Sequence, residues 1–128
     1  MTNTPADTGI EIEVDSGFLA AQSHPEQQRF VFRYTITIHN RGAQTAQLLS
    51  RHWVITDSNN QVQEVQGIGV IGEQPEIAAG ESYTYSSGTI LATPAGMMEG
   101  SYEFRQPSGE RFNAPIPAFS LVLPEALH

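Results

Sequence analysis

Apolar and polar positions alternate along most of this chain, and the clearest case runs from Phe30 to Ile38. The even positions are Phe30, Phe32, Tyr34, Ile36 and Ile38; the odd ones are Val31, Arg33, Thr35 and Thr37. A side-chain period of two predicts a strand with the first set on a core and most of the second in water. Asn40-Arg41-Gly42 supplies the turn signal that ends it. Upstream, Ile10, Ile12 and Val14 alternate with Glu11, Glu13 and Asp15. This predicts an edge strand whose acidic outer face discourages pairing with other chains. A connection containing Pro25 joins the two.

Downstream, Leu49, Arg51, Trp53 and Ile55 share one strand face, and Leu48, Ser50, His52, Val54 and Thr56 take the other. Asp57-Ser58-Asn59-Asn60 turns the chain, since Asn tolerates positive φ, and Gln61 to Gln66 returns as a hairpin. Ala79-Gly80 marks a further turn, and Ser82 to Ser87 alternates again, with Tyr83 and Tyr85 on one face. Gly88, Pro94, Gly96 and Gly100 predict a loop. In it, Met97-Met98 forms either a flexible apolar surface for a partner or a plug at one end of the fold. Tyr102-Glu103-Phe104 begins a strand, Pro107-Ser108-Gly109 turns it, and a final strand holds Ile116, Phe119, Leu121 and Leu123.

No segment offers three turns of helical periodicity. About seven or eight short strands separated by turn signals predict an all-β antiparallel sandwich. Its expected core is Phe32, Tyr34, Ile36, Trp53, Ile55, Phe104, Phe119 and Leu121. No internal repeat or second domain is visible. The expected organisation is a flexible segment over residues 1–8 and one domain over 9–128.

Composition narrows the chemistry. A chain of 128 residues is long enough for one core to stabilise it without staples. There is no cysteine, hence no disulfide and no thiolate chemistry. No run approaches the roughly 18 apolar residues of a membrane span. The start, Met1-Thr2-Asn3-Thr4-Pro5, lacks the basic and apolar regions of a secretory signal, which points to the cytoplasm. The formal net charge is −8, and all six basic residues are arginine. Such a chain repels phosphate backbones, so nucleic acid is not an expected partner. Without lysine there is no Walker A lysine and no Schiff base.

Gly67-Ile68-Gly69-Val70-Ile71-Gly72 matches G-x-G-x-x-G. A dinucleotide loop needs a helix opening after the glycines and an acidic residue about 20 positions on. Here Pro75 and Ala79-Gly80 follow, and Ser82 to Met98 contains no Asp or Glu. The glycines therefore read as a bulge, a sharp bend or a close backbone approach. The alternative is that loop amides at Gly67, Gly69 and Gly72 cradle a small anion as a nest, with Arg51 or Arg105 assisting.

The histidines, His24, His39, His52 and His128, form no metal-binding pair. His24 with Glu26, near Glu11, Glu13 and Asp15, offers at most a loose divalent site, and a solvated acidic face is the plainer reading. Asp57-Ser58-Asn59-Asn60-Gln61 starts like a calcium loop, but Val62 stands at the required glycine and Ile68 at the required glutamate. Tyr85-Ser86-Ser87-Gly88 lacks the leading glycine of a nucleophile elbow. No catalytic residue, metal site or cofactor is expected.

Several stretches together resemble the bacterial ApaG family, the DUF525 domain. They are Phe32 to Asn40, Gln47 to Asp57, Gly67 to Pro75, Tyr85-Ser86-Ser87-Gly88, Thr93-Pro94 and Gly100-Ser101-Tyr102. Ala79 stands where the family usually has proline, and Thr89-Ile90 replaces a pair that often includes cysteine and proline. The resemblance implies an immunoglobulin- or fibronectin type III-like sandwich. It also implies an association with cobalt and magnesium resistance or efflux, and a gene that often neighbours diadenosine tetraphosphate hydrolase. Similar domains in an F-box protein and a DNA polymerase delta-interacting protein look like protein-interaction modules. The family's glycine motif, here Gly67, Gly69 and Gly72, is associated with pyrophosphate. The resulting expectation is a non-enzymatic module for a protein partner, connected with divalent-cation homeostasis. Pyrophosphate or nucleotide-phosphate binding through the Gly67–Gly72 loop is the alternative.

Overall fold

The alternating segments pair into two antiparallel sheets packed face to face. The structure is a computed structural model that describes residues 9–124. The expected flexible segment and His128 lie outside the described residues. The strands are β1 (Ile10–Phe18), β2 (Phe30–Asn40), β3 (Ala46–Asp57), β4 (Val62–Ile68), β5 (Glu76–Ile77), β6 (Ser82–Leu91), β7 (Ala95–Arg105) and β8 (Arg111–Val122). One sheet has the order β1-β2-β6; the other has β4-β3-β7-β8, with the short β5 pairing β3. This is the sandwich expected from the alternation, of the immunoglobulin/fibronectin type III-like kind that the resemblance implies. No described helix is long and apolar enough to cross a membrane.

The parity of β2 holds in three dimensions. Phe32, Tyr34, Ile36 and Ile38 are buried, while Arg33, Thr35, Thr37 and His39 are not. Val31 departs from the pattern and is buried too. The connection after β1 covers it: Leu19 N–H donates to Val31 O, and Val31 N–H donates to Ser23 Oγ. The outer face of this sheet carries the acidic residues of β1. Arg33 pairs with Asp15 at 3.1 Å, Arg41 with Glu11, and His39 with Glu13. The Arg41 guanidinium holds the Glu11 carboxyl below its ordinary range.

The structure corrects two expectations. The pairing of β3 with β7 shifts register between Leu48 and Ser50. This bulge turns Leu48 inward, so Leu48 and Trp53 both reach the core despite opposite parity. The second concerns the Gly96–Gly100 region. It is strand, not loop: β7 begins at Ala95, and Met98 is fully in the core while Met97 faces out. Its glycines permit close strand approach rather than a turn. A Cβ on Gly100 would stand 2.0 Å from His52 O, and one on Gly96 would stand 2.7 Å from Thr56 O.

Trp53 sits at the centre of the core. Its ring meets Tyr34 at 5.3 Å, Phe119 at 6.0 Å and Tyr102 at 6.3 Å, in edge-on geometries. Phe119 is only half-buried. The Tyr85 and Tyr102 hydroxyls hydrogen-bond to each other across the two sheets. Burial raises both phenols well above their ordinary range, and for Tyr102 the neighbouring Tyr85 adds to it. The sign of the pH effect follows. Below about pH 10 both folded and unfolded chains keep these protons, and the contribution is complete. Above it the unfolded chain ionises first, so stability falls as pH rises. Tyrosinate absorbance followed with circular dichroism should show these two phenols ionising only as the chain unfolds.

The two lateral sides of the sandwich differ. On one, β1 lies against β8, and Ser16 Oγ donates to Ser120 O at 3.3 Å. On the other, β4 and β6 end their sheets without a strand partner beyond them among the described residues, and a groove opens between them.

Candidate functional site

Four strands build this groove, together with Gln22 and Arg29 of the connection between β1 and β2, and it has a volume of about 530 Å³. Tyr34 from β2 and Trp53 and Ile55 from β3 line its base. Gln63 and Val65 of β4 form one wall, and Ser87 to Ile90 of β6 form the other. Apolar surface with a few polar groups is the usual character of a binding cleft of this size. Ile90 is 45% exposed on the rim, and Val62 and Ile68 of β4 are 60% and 76% exposed.

Arg51 enters the groove because it shares the inward face of β3 with Trp53 and Ile55. Its Nη1 donates to Gly69 O at 2.9 Å and to Ile68 O at 3.3 Å. Gly67 lies opposite Arg51 in the β3–β4 register. A Cβ there would stand 2.7 Å from the guanidinium, so the bare backbone of Gly67 gives the arginine its path.

The rest of the glycine segment is a tight hairpin turn. Val70 and Glu73 exchange backbone hydrogen bonds of 2.8 and 2.9 Å. Ile71 and Gly72 between them have φ of 40° and 81°, the pattern of a type I′ turn. Gly69 has φ of 64°, and its N–H donates to Leu49 O. The amides of Gly69, Val70 and Glu73 thus serve the protein's own carbonyls, and the guanidinium nearest them faces carbonyl oxygens. Arg105, the other arginine considered for an anion nest, donates to Gln47 Oε1 at 2.9 Å.

Alanine scanning of the motif separates its glycines. A Cβ on Gly69 would stand 2.1 Å from Glu73 O, whereas one on Gly72 meets nothing within 4 Å. Gly72→Ala should cost about 1 kcal/mol, the strain of positive φ alone. Gly69→Ala adds a backbone collision and should cost about 2–3 kcal/mol more. Urea denaturation of the two variants measures the difference.

The remaining candidates stand elsewhere. His52 points to the outer face of β3, with Nε2 3.0 Å from Glu64 Oε1. His39 bridges Glu13 and Ser82 on the outer face of the other sheet. Among the described residues no group of three or more His, Asp or Glu is placed to hold a metal ion. Asp57 caps its own turn, accepting from the N–H groups of Asn59 and Gln61.

The ApaG domain family (DUF525) matches residues 20–106. The chain belongs to the ApaG family. It is 56% identical over 119 residues to the protein named ApaG of Ectopseudomonas mendocina, covering 93% of this chain and 94% of that one. It is similar in fold to the crystal structure described as an ApaA protein of Bordetella pertussis, with TM-score 0.88 and 45% identity over 90% of this chain and 94% of that chain. A structural-genomics X-ray structure, target SoR45, gives TM-score 0.90 and 46% identity over 95% and 92% of the two chains. In this ApaG domain the family's glycine segment is therefore a β-hairpin turn with Arg51 laid across its first glycine.

The groove itself was not legible as a site. Its walls come from β4 and β6, which are not neighbours in either sheet. One signal did point to it: Arg51 is the single charge on the otherwise apolar face Leu49, Arg51, Trp53, Ile55.

Proposed function

We propose that this ApaG-family chain is a non-enzymatic cytoplasmic module that binds an extended segment of a protein partner, in connection with cobalt and magnesium homeostasis. One observation carries the reading: the sandwich is open on one side, where two strand edges without a strand partner among the described residues flank a groove with an apolar base and exposed Ile90 on its rim. Free edges offer backbone groups to an added strand, and a groove beside them takes its side chains. The connection with divalent cations rests on the family resemblance.

Site-specific photo-crosslinking in the native cell tests it. A crosslinker replacing Ile90 should trap a defined protein, while one replacing Met97, exposed on the outer face of β7, should not. Ile90→Asp should then lower cobalt tolerance as far as deletion of the whole protein does. Equal labelling from both positions, or none from Ile90, would sink the proposal.

A further inference from the structure

We infer that the partner segment presents a carboxylate to the groove, received by Arg51 and Arg29 beside the Trp53 indole; this rests on the partner-segment reading above. The distribution of arginine supports it. The chain carries 14 acidic residues against six arginines. Arg33, Arg41 and Arg111 each pair with a carboxylate, and Arg105 with the Gln47 amide. Arg51 and Arg29 do not, and both line the same groove. Arg29 has no side-chain partner among the described residues, and no Asp or Glu is among the residues lining the groove. In a chain so rich in carboxylates, the protein's own acids are absent from a groove that two of its cations line.

Arg51 is also held ready. Its Nη1 is tied to the carbonyls of Ile68 and Gly69, which leaves Nε and Nη2 without an acceptor among the described residues. A guanidinium fixed in this way offers a planar pair of donors to a carboxylate. The Trp53 side chain that lines the groove adds an independent observation: its Nε1–H is buried and has no acceptor among the described residues. Buried donors are nearly always paired, so this one leaves hydrogen-bonding capacity unused in a side chain that also lines the groove. The apolar base, Tyr34, Trp53 and Ile55, accommodates an apolar residue flanking the acid. A net charge of −8 disfavours multiply charged ligands such as polyphosphates and leaves a single carboxylate in an apolar context as the better fit. The carboxylate belongs either to an Asp or Glu side chain or to a chain terminus.

Selection of a random-peptide display library against the full chain supplies the probe. Enriched peptides should share an Asp, Glu or free C-terminus next to an apolar residue. A synthetic copy should shift the NMR signals of Ser87 to Ile90 and of the indole N–H, which is unambiguous because the chain has one tryptophan. Replacing the peptide's acid by its amide should weaken binding about tenfold or more. Amidating only the C-terminus tells the two sources apart. Arg51→Gln and Arg29→Gln should each weaken the acidic peptide and leave its amide analogue unaffected. Arg29 is exposed, and its internal hydrogen bonds are backbone ones to His24 that a glutamine keeps, so its variant reads binding even if Arg51→Gln fails to fold. Peptides that occupy the groove without an acidic preference, and ignore both arginine variants, would overturn the carboxylate while leaving the partner-segment reading intact. Enrichment of nothing, or of peptides that shift other surfaces, would overturn both.

Discussion

Trp53→Ala should lower the stability of this domain by about 3–5 kcal/mol, the cost of emptying a large aromatic site in a core. Trp53 is 2% exposed and touches the rings of Tyr34, Tyr102 and Phe119, so it joins the two sheets at their centre. Domains of this size have only about 5–15 kcal/mol in total, and the variant is expected to be partly unfolded or close to it. A urea midpoint measured by circular dichroism checks the magnitude. Trp53→Phe should cost clearly less. It keeps an aromatic ring in place and removes the indole N–H that has no acceptor among the described residues. A phenylalanine variant as unstable as the alanine variant would mean that the indole donor has a partner that stabilises the fold.

The second large effect comes from the smallest residue. Gly100→Ala should destabilise the chain by about 3 kcal/mol or more, at the upper end of overpacking costs. The added Cβ would stand 2.0 Å from His52 O, 3.0 Å from His52 C and 3.1 Å from Trp53 Cα. All three are backbone atoms of β3, which is paired on both sides, so no side chain can move to relieve the contact. The strands must separate, and with them the ladder that carries Trp53. Gly88→Ala is the control, since its Cβ would meet only Phe32 O at 3.1 Å. It should cost a small fraction of the Gly100 effect in the same denaturation assay.

These two residues also show how far the chain can be read locally. Trp53 was identifiable as core from its place among Leu49, Arg51 and Ile55. Gly100 read as a loop marker, because glycine favours turns when nothing else is known. Its actual role depends on how close β3 comes to β7, and the two strands are separated by the whole of β4, β5 and β6. The same holds for the glycine segment. The missing helix was visible in Pro75 and Ala79-Gly80, and a bulge, a sharp bend or a close backbone approach was the expected structure. That Gly67 clears a path for Arg51 follows only from their register across β3 and β4.

The sequence by itself determined the strand periods, the burial of β2, the lack of any segment with three turns of helical periodicity, the absence of thiolate or lysine chemistry, and the resemblance to the ApaG family. These are carried by neighbouring residues and by composition. Period-two alternation is a local property of an extended backbone and needs no partner to be seen. The tertiary structure decided the bulge that turns Leu48 inward, the inclusion of Met98 in the core, and the open groove with Arg29, Arg51 and Trp53. Each of these arises where residues far apart in the chain face one another. Strand register and the approach of two sheets set which side chains meet, and neither is written in any single segment.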